Sequence, residues 1–411
     1  MKTIASLAPF MLLFVLAGAT LEPAAASGIE RTPIVGDVVH YRFEVPVGPG
    51  EHDRIALHRV VRERAPFLPR PAPDAVMLVH GDAWAFGAVF RTDAEALPAF
   101  LAERGVDVWG IDFRWALVAA NAADLSFMEP WGLEVQIKDL RAGLGIARLV
   151  RAATGSGAGR LHLLGFSRGG QIGYAYLSAE TQRPQALRHA KGFIPADIFF
   201  KSDVEAIRQS GCQAAATAEA RLAAGDVADD FTIIPLIGSL AATAPDDPSP
   251  FFPPFTNRQL AIDAGAFATP ATPVPFIHLV GGEYDEEGFP LGLLYTEEDL
   301  WFSFLERASS FQPVRIGLDT GRVLCDEAEV PFDAHLGEIA VPVLYLGAGG
   351  GYGEFGVYST TLLGSTDVTI HLVNQQPPEL RGQDLGHDEP FLATSAESLY
   401  WQTLLAWIEA H

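Results

Sequence analysis

Ser167 stands where a nucleophile can be built. The string Leu161-His162-Leu163-Leu164-Gly165-Phe166-Ser167-Arg168-Gly169-Gly170 runs an apolar strand directly into Gly-x-Ser-x-Gly and then into a helix-compatible stretch. The spacing has a steric cause. A serine in a sharp strand-to-helix turn needs residues two before and two after it that carry no Cβ, and Gly165 and Gly169 meet that need. In a chain with 40 glycines the pattern takes its weight from its place between a strand and a helix. A hydroxyl held at such a turn and relieved of its proton by a base would attack an acyl carbon.

This strand–turn–helix resembles the nucleophile elbow of the α/β-hydrolases. A second string, Val79-His80-Gly81-Asp82-Ala83-Trp84, follows the first buried strand. In that family a His-Gly pair here turns the chain so that the next amide faces the developing oxyanion. The resemblance therefore implies backbone N–H donors at Asp82 and at Arg168, immediately after the serine. Both are backbone groups, so the Asp82 carboxylate is not itself required, and His80 reads as a structural turn residue. The family's chain order of serine, acid and histidine implies that His387 is the base, in Asp384-Leu385-Gly386-His387-Asp388. The other histidines have ordinary readings: His371 within a strand, His162 opening one, His278 and His335 in an insertion, and His411 terminal.

The acid is open between two residues. Family members commonly carry Asp after the strand that here is Val341 to Leu346, yet this chain continues Gly347-Ala348-Gly349-Gly350-Gly351-Tyr352-Gly353-Glu354. Glu354 could reach back on the glycines. Asp197, ending the strand Gly192 to Ala196, is the alternative, since certain haloalkane dehalogenases take their acid from the preceding strand. Asp197 is favoured because a short tether holds a carboxylate more firmly than a glycine-rich loop. Asp112, in Gly110-Ile111-Asp112-Phe113-Arg114, fits a family position with a structural role and is left out of the site. The resemblance covers Tyr41 to Pro195 and Val341 to His411 and fades between them.

These residues need a scaffold, and the chain supplies one. Alternation in Tyr41 to Val45 and in Ile55 to Val61, separated by Gly48-Pro49-Gly50, predicts an antiparallel entry hairpin. A Pro-rich link from Pro66 to Pro73 leads to an apolar run at Ala75 to His80. Val106 to Ile111, Leu161 to Phe166, Gly192 to Ala196, Val341 to Leu346 and Val368 to Val373 each read as fully buried strands. Between them, Leu133 to Val150 sets Leu133, Ile137, Leu140 and Leu144 on one helical face, and a further helix is expected over Leu399 to Ile408. The alternation predicts an α/β fold, a mostly parallel sheet with helices on both faces.

The rhythm breaks from Asp197 to Glu338. An Ala-rich helix around Val204 to Ala224, five prolines in Pro245 to Pro254 and an amphipathic piece near Glu297 to Ala308 read as one inserted, largely helical lid over the sheet's C-terminal edge. Re-entry into the sheet at Val341 favours this over a second independent domain. The expected division is a core of residues 27–196 and 339–411 with a lid of residues 197–338. Phe199, Phe200, Phe251, Phe252, Phe255, Trp301, Phe302 and Phe304 are candidates for an apolar substrate pocket in that lid, or for its core.

Of the 411 residues 49% are hydrophobic and 19% charged, enough apolar side chain for a large core. The net charge of -23, from 51 acidic against 28 basic residues, repels phosphate backbones and anionic headgroups, which argues against a nucleic-acid partner. Residues 1–26 read as a signal peptide: Lys2, a mostly apolar Ile4 to Leu16, then Ala24-Ala25-Ala26. That apolar run is shorter than the roughly 20 residues of a spanning helix, so export with cleavage, to a secreted or periplasmic location, is favoured over an anchor. The two cysteines, Cys212 and Cys325, are expected to pair in an oxidising compartment. No HExxH helix or ligand spacing suggests a metal or other cofactor. The expected activity is hydrolysis of an ester with an apolar portion. A catalytically silent binding protein, and a peptidase, acyltransferase or haloperoxidase using the same serine, are the alternatives.

Overall fold

The computed structural model describes residues 28–267, 277–328 and 330–411; the leader expected over residues 1–26 lies outside them. Its strands are β1 (Glu30–Val35), β2 (Val38–Pro46), β3 (Arg54–Ala65), β4 (Leu68–Pro69), β5 (Ala75–Val79), β6 (Asp107–Asp112), β7 (Leu161–Phe166), β8 (Ala190–Ala196), β9 (Ala228–Asp230), β10 (Gly282–Tyr284), β11 (Pro290–Leu293), β12 (Phe311–Pro313), β13 (Val343–Ala348) and β14 (Val368–Val373). One sheet runs in the order β1-β2-β3-β6-β5-β7-β8-β13-β14, with β4 beside β3. The β1–β2, β2–β3 and β3–β6 pairs are antiparallel. Every pair from β6 to β14 is parallel.

Alternate residues of the central strands feed two cores, one on each face. Val76 and Leu78 of β5, Leu164 of β7 and Leu344 of β13 pack with Tyr400, Leu404 and Trp407 of the C-terminal helix. Met77 and Val79, Leu163 and Val343 face the other way. There they meet Leu133, Ile137, Leu140 and Leu144 of the helix Leu133–Ala153, the stripe that the sequence predicts. Each such side chain contributes about 1.5–3 kcal/mol on full burial. The sheet is therefore a rigid platform, and β5, β7, β8 and β13 all end on the rim that carries the chemistry.

One strand differs from expectation. β14 is exposed rather than fully buried, with Val368, Ile370 and Leu372 each 38–39% accessible. It is the last strand of the sheet, paired on one edge with β13 and on the other with no strand.

Between β8 and β13 no element joins the sheet. This stretch holds the helices Glu205–Ala223, Ile233–Thr243, Asn257–Ala266, Glu298–Glu306 and Val314–Leu324, and two small antiparallel pairs, β9–β12 and β10–β11. A disulfide joins Cys212 of the first helix to Cys325 at the end of the last. Among the described residues no helix is long and apolar enough to cross a membrane.

Candidate active site

Ser167 connects β7 to the helix Arg168–Thr181 with φ +53°, in the left-handed region that costs a non-glycine residue about 1–3 kcal/mol. The glycines around it are sterically enforced. A Cβ on Gly165 would lie 2.3 Å from the Gly169 carbonyl oxygen, and one on Gly169 would lie 2.3 Å from the Val79 carbonyl oxygen. Only bare backbone lets β5, the elbow and the helix approach this closely. Ser167 remains partly exposed at the rim, with Gly81 against its Cβ. Six non-glycine residues among those described have positive φ, and three of them, Ala83, Ser167 and Asp197, gather at this rim.

Asp82 follows Gly81, which abuts the Ser167 Cβ, and Arg168 follows the serine itself. No protein acceptor among the described residues engages either amide, as a hole for an incoming oxygen requires. Their side chains form an ion pair: Arg168 donates from Nε (2.8 Å) and Nη2 (2.8 Å) to the Asp82 carboxylate. The guanidinium also donates to Gln171 and Thr320. Gln312 donates to Asp82 from its side-chain amide and accepts the Ala83 N–H at 2.8 Å. His80 behaves as a structural turn residue. Its Nδ1 donates to the Gly81 carbonyl at 2.9 Å, and burial holds its pKa below the ordinary value. Asp112 is likewise structural, accepting the Phe86 N–H at 2.7 Å and meeting His58 Nε2 at 2.9 Å.

Asp197 and His387 come together although 190 positions separate them: Nδ1 donates to Asp197 Oδ2 at 2.7 Å. Asp197 is wholly buried and His387 is 6% exposed. The carboxylate also accepts the amides of Ala348 (2.9 Å), Tyr352 (2.9 Å) and Gly353 (2.8 Å). The glycine-rich loop that carries no Asp thus wraps the carboxylate that follows the preceding strand, β8. A Cβ on Gly351 would sit 2.0 Å from Asp197 Oδ2, which explains a glycine there. Glu354 is exposed and stands apart from this pair. Burial by itself would depress the His387 pKa, but the Asp197 hydrogen bond and charge, helped by Asp388 and Asp82, outweigh it and raise the value. The His387 ring lies 4.6 Å from that of Phe166, the residue before the serine.

Several residues that the sequence reading did not single out complete the rim. Tyr352 meets His387 edge-on at 5.1 Å and Phe199 at 4.9 Å. Burial, opposed by Arg168 and reinforced by Asp197 and Asp82, pushes its phenol up to about 12, so it is a neutral donor. The loop bearing His387 is held from below: His387 N–H donates to the His278 carbonyl (2.9 Å) and Asp388 N–H to that of Leu279 (2.8 Å). Glu389 accepts the amides of Gly281 (3.1 Å) and Gly386 (2.6 Å) and the Thr296 hydroxyl (2.9 Å). The Asp388 carboxyl is 1% exposed without a hydrogen-bond partner. Burial, against the pull of His387, pushes it up to about 7.

Most of the candidate pocket aromatics lie elsewhere. Phe200, Trp301, Phe302 and Phe304 are buried, Phe304 against Trp84 at 4.0 Å, while Phe251 and Phe252 face solvent. Phe255 packs with Phe252 and Phe289, while Phe199 meets Tyr352 at the rim. Among the described residues no three His, Cys, Asp or Glu side chains are grouped to hold a metal ion.

No family model and no curated protein matches the sequence. Solved structures do. The structure is similar to a candidate lipase from Sulfolobus solfataricus, with a TM-score of 0.63 at 19% identity over 93% of this chain and 99% of that one. The chain has the α/β-hydrolase fold. Two further solved structures align with it more loosely. A soluble variant of monoglyceride lipase from Saccharomyces cerevisiae, bound to a substrate analogue, gives a TM-score of 0.49 at 13% identity over 95% and 96% of the two chains. A thermophilic esterase from Thermogutta terrifontis gives 0.43 at 13% over 90% and 98%. Within this fold the rim formed by the ends of β5, β7, β8 and β13 is where ligands bind, and the elbow, the Asp82 loop and the Asp197–His387 pair all stand on it.

Proposed function

We propose that the protein is a serine hydrolase of carboxylic esters that works through an acyl-enzyme on Ser167. The observation that carries this reading is the buried Asp197–His387 hydrogen bond, on the same rim as a strained serine between two unengaged amides. Asp197 fixes Nδ1 as the protonated nitrogen and leaves Nε2 as the base. Nε2 takes the Ser167 proton as Oγ bonds to the acyl carbon, and the carbonyl electron pair moves onto oxygen, facing the Asp82 and Arg168 amides. Collapse breaks the ester C–O bond, and the alkoxide leaves with the proton held on His387. Water then gives a proton to Nε2, attacks the acyl carbon and releases the acid, returning the proton to Ser167.

Phe199 and the Tyr352 ring offer an apolar wall beside a polar one made by Arg168, Gln171 and Thr320. That pairing suits a small-molecule ester with one apolar portion. The Cys212–Cys325 disulfide is in keeping with export to a secreted or periplasmic location. Hydrolysis of a graded panel of p-nitrophenyl esters by the wild type, and by Ser167→Ala, tests the reading. Turnover of short or medium acyl esters should fall by about 10⁴–10⁶-fold in the variant. A folded wild type without turnover on the panel, or a variant that keeps it, would contradict the reading.

A further inference from the structure

Two of the three strained turns of the rim, at Ser167 and Ala83, are braced differently. Ser167 is braced by the core itself, through Ser167 N–H to the Ala196 carbonyl at 3.1 Å and Gly170 N–H to the Ser167 carbonyl at 2.8 Å. Ala83, with φ +58°, is braced from outside the core. Its carbonyl accepts the Ser309 N–H at 2.7 Å, and its N–H donates to Gln312 Oε1 at 2.8 Å. Ser309 and Gln312 both belong to the segment between β8 and β13, Gln312 in β12. A non-glycine residue in the left-handed region persists only where its surroundings over-determine it, and here those surroundings are two residues of the inserted segment.

Gln312 does a second thing. It is 4% exposed, and its Nε2 donates to the carboxylate of Asp82, 230 positions away in sequence. That carboxylate also holds the Arg168 guanidinium, which in turn reaches Thr320 of the same inserted segment. The two residues whose amides flank the serine are therefore tied together by their side chains, and one glutamine ties that pair to the Ala83 turn. The Asp82 and Ala83 amides belong to consecutive peptides joined at Asp82 Cα, so a rotation that frees one reorients the other. The Ala83 N–H, engaged by Gln312, is held away from the serine.

We propose that Gln312 is a positioning residue of the oxyanion hole: by clamping the Ala83 amide and the Asp82 carboxylate together it fixes the direction of the Asp82 N–H. The inference rests on the serine-hydrolase reading and adds to it a role for the inserted segment in transition-state stabilisation. An amide side chain is suited to this task because its oxygen can accept from the backbone while its nitrogen donates to a carboxylate, without titrating.

The test compares wild type, Gln312→Leu and Gln312→Glu on a p-nitrophenyl ester, together with a trifluoromethyl ketone whose hemiketal oxygen occupies the oxyanion position. Gln312→Leu, close in volume, should lower kcat by about 10- to 100-fold, the order lost with one oxyanion donor or somewhat less. KM should change little, and affinity for the ketone should fall with kcat/KM. Gln312→Glu sets a carboxylate against Asp82 at pH 8 but can donate again once protonated, so its kcat relative to wild type should recover toward pH 5. Wild-type kcat in folded Gln312→Leu, or a loss confined to KM, overturns the inference. If Gln312→Leu does not fold, a pH-independent ratio for Gln312→Glu overturns it instead. A wild type that turns over no ester overturns the hydrolase reading first, and this inference with it.

Discussion

The two halves of the rim reach the same rigidity by opposite means. Around Asp197 the bracing is largely backbone: the amides of Ala348, Tyr352 and Gly353 point at a single carboxylate, with His387 donating to it and the Arg381 and Tyr345 side chains holding the Gly351 and Gly353 carbonyls of the loop. Around Asp82 the bracing is side chain: Arg168, Gln312 and Thr320, drawn from the elbow and the inserted segment, share one polar network. Backbone bracing tolerates substitutions in the loop that supplies it only where the close-packed glycines, Gly349, Gly350, Gly351 and Gly353, are kept. Side-chain bracing is lost with any one member. Beyond the Asp197–His387 pair itself, the Asp197 side should therefore be most sensitive at the close-packed glycines of the loop, and the Asp82 side at several distant side chains.

The largest effect expected on the acid side is that of Asp197→Asn. Losing the charge that fixes the His387 tautomer should lower kcat by roughly 10³–10⁴-fold, while Glu354→Gln leaves it unchanged. Because Asp197 raises the His387 pKa, the acid limb of the wild-type kcat/KM profile should lie above pH 6.5, and in Asp197→Asn it should move down. The opposite pattern in the two variants would dissolve the contrast between the halves.

An intermediate effect is expected beneath His387. Glu389→Ala strips partners from the Gly281 and Gly386 amides, so unfolding by urea should show a loss of about 2–4 kcal/mol. Stability unchanged within error would mean that Glu389 does not hold the loop.

The smallest effect is expected at Asp388. Its carboxyl has a folded pKa of about 7, above the ordinary 3.8. It therefore costs the folded state nothing below pH 4, and progressively more as pH rises toward 7, where the penalty levels off. Asp388→Asn should then be neutral at pH 4 and stabilising at pH 8 by on the order of 1–3 kcal/mol. A gain that is the same at both pH values would show that this carboxyl is not ionised against its will.

What the sequence made legible follows the same division. The elbow could be read because its constraint is steric and local, leaving Gly165 and Gly169 at fixed offsets from Ser167. The sheet could be read because β5, β7, β8 and β13 are short apolar runs between turn residues. The candidate acid could be narrowed only to two residues, since the amides that hold Asp197 carry no side-chain signature and the string of glycines reads in sequence as a flexible tether for Glu354. Gln312 and Thr320 were not legible, because a polar residue in the segment between β8 and β13 looks the same whether it faces water or a turn 230 positions away, and Glu389, beside His387, looks the same whether it faces water or buried amides. The exposure of β14 was missed for a related reason: composition shows that a strand is apolar, but its place in the strand order decides whether anything covers it.

The account stands on Ser167 being the activated hydroxyl of this rim. Intact-mass measurement and peptide mapping after treatment with a fluorophosphonate read that directly. The wild type should gain a single phosphonyl adduct, on the peptide containing Ser167, and Ser167→Ala should gain none. A folded wild type that stays unlabelled, or an adduct that persists at another residue when Ser167 is gone, would contradict it.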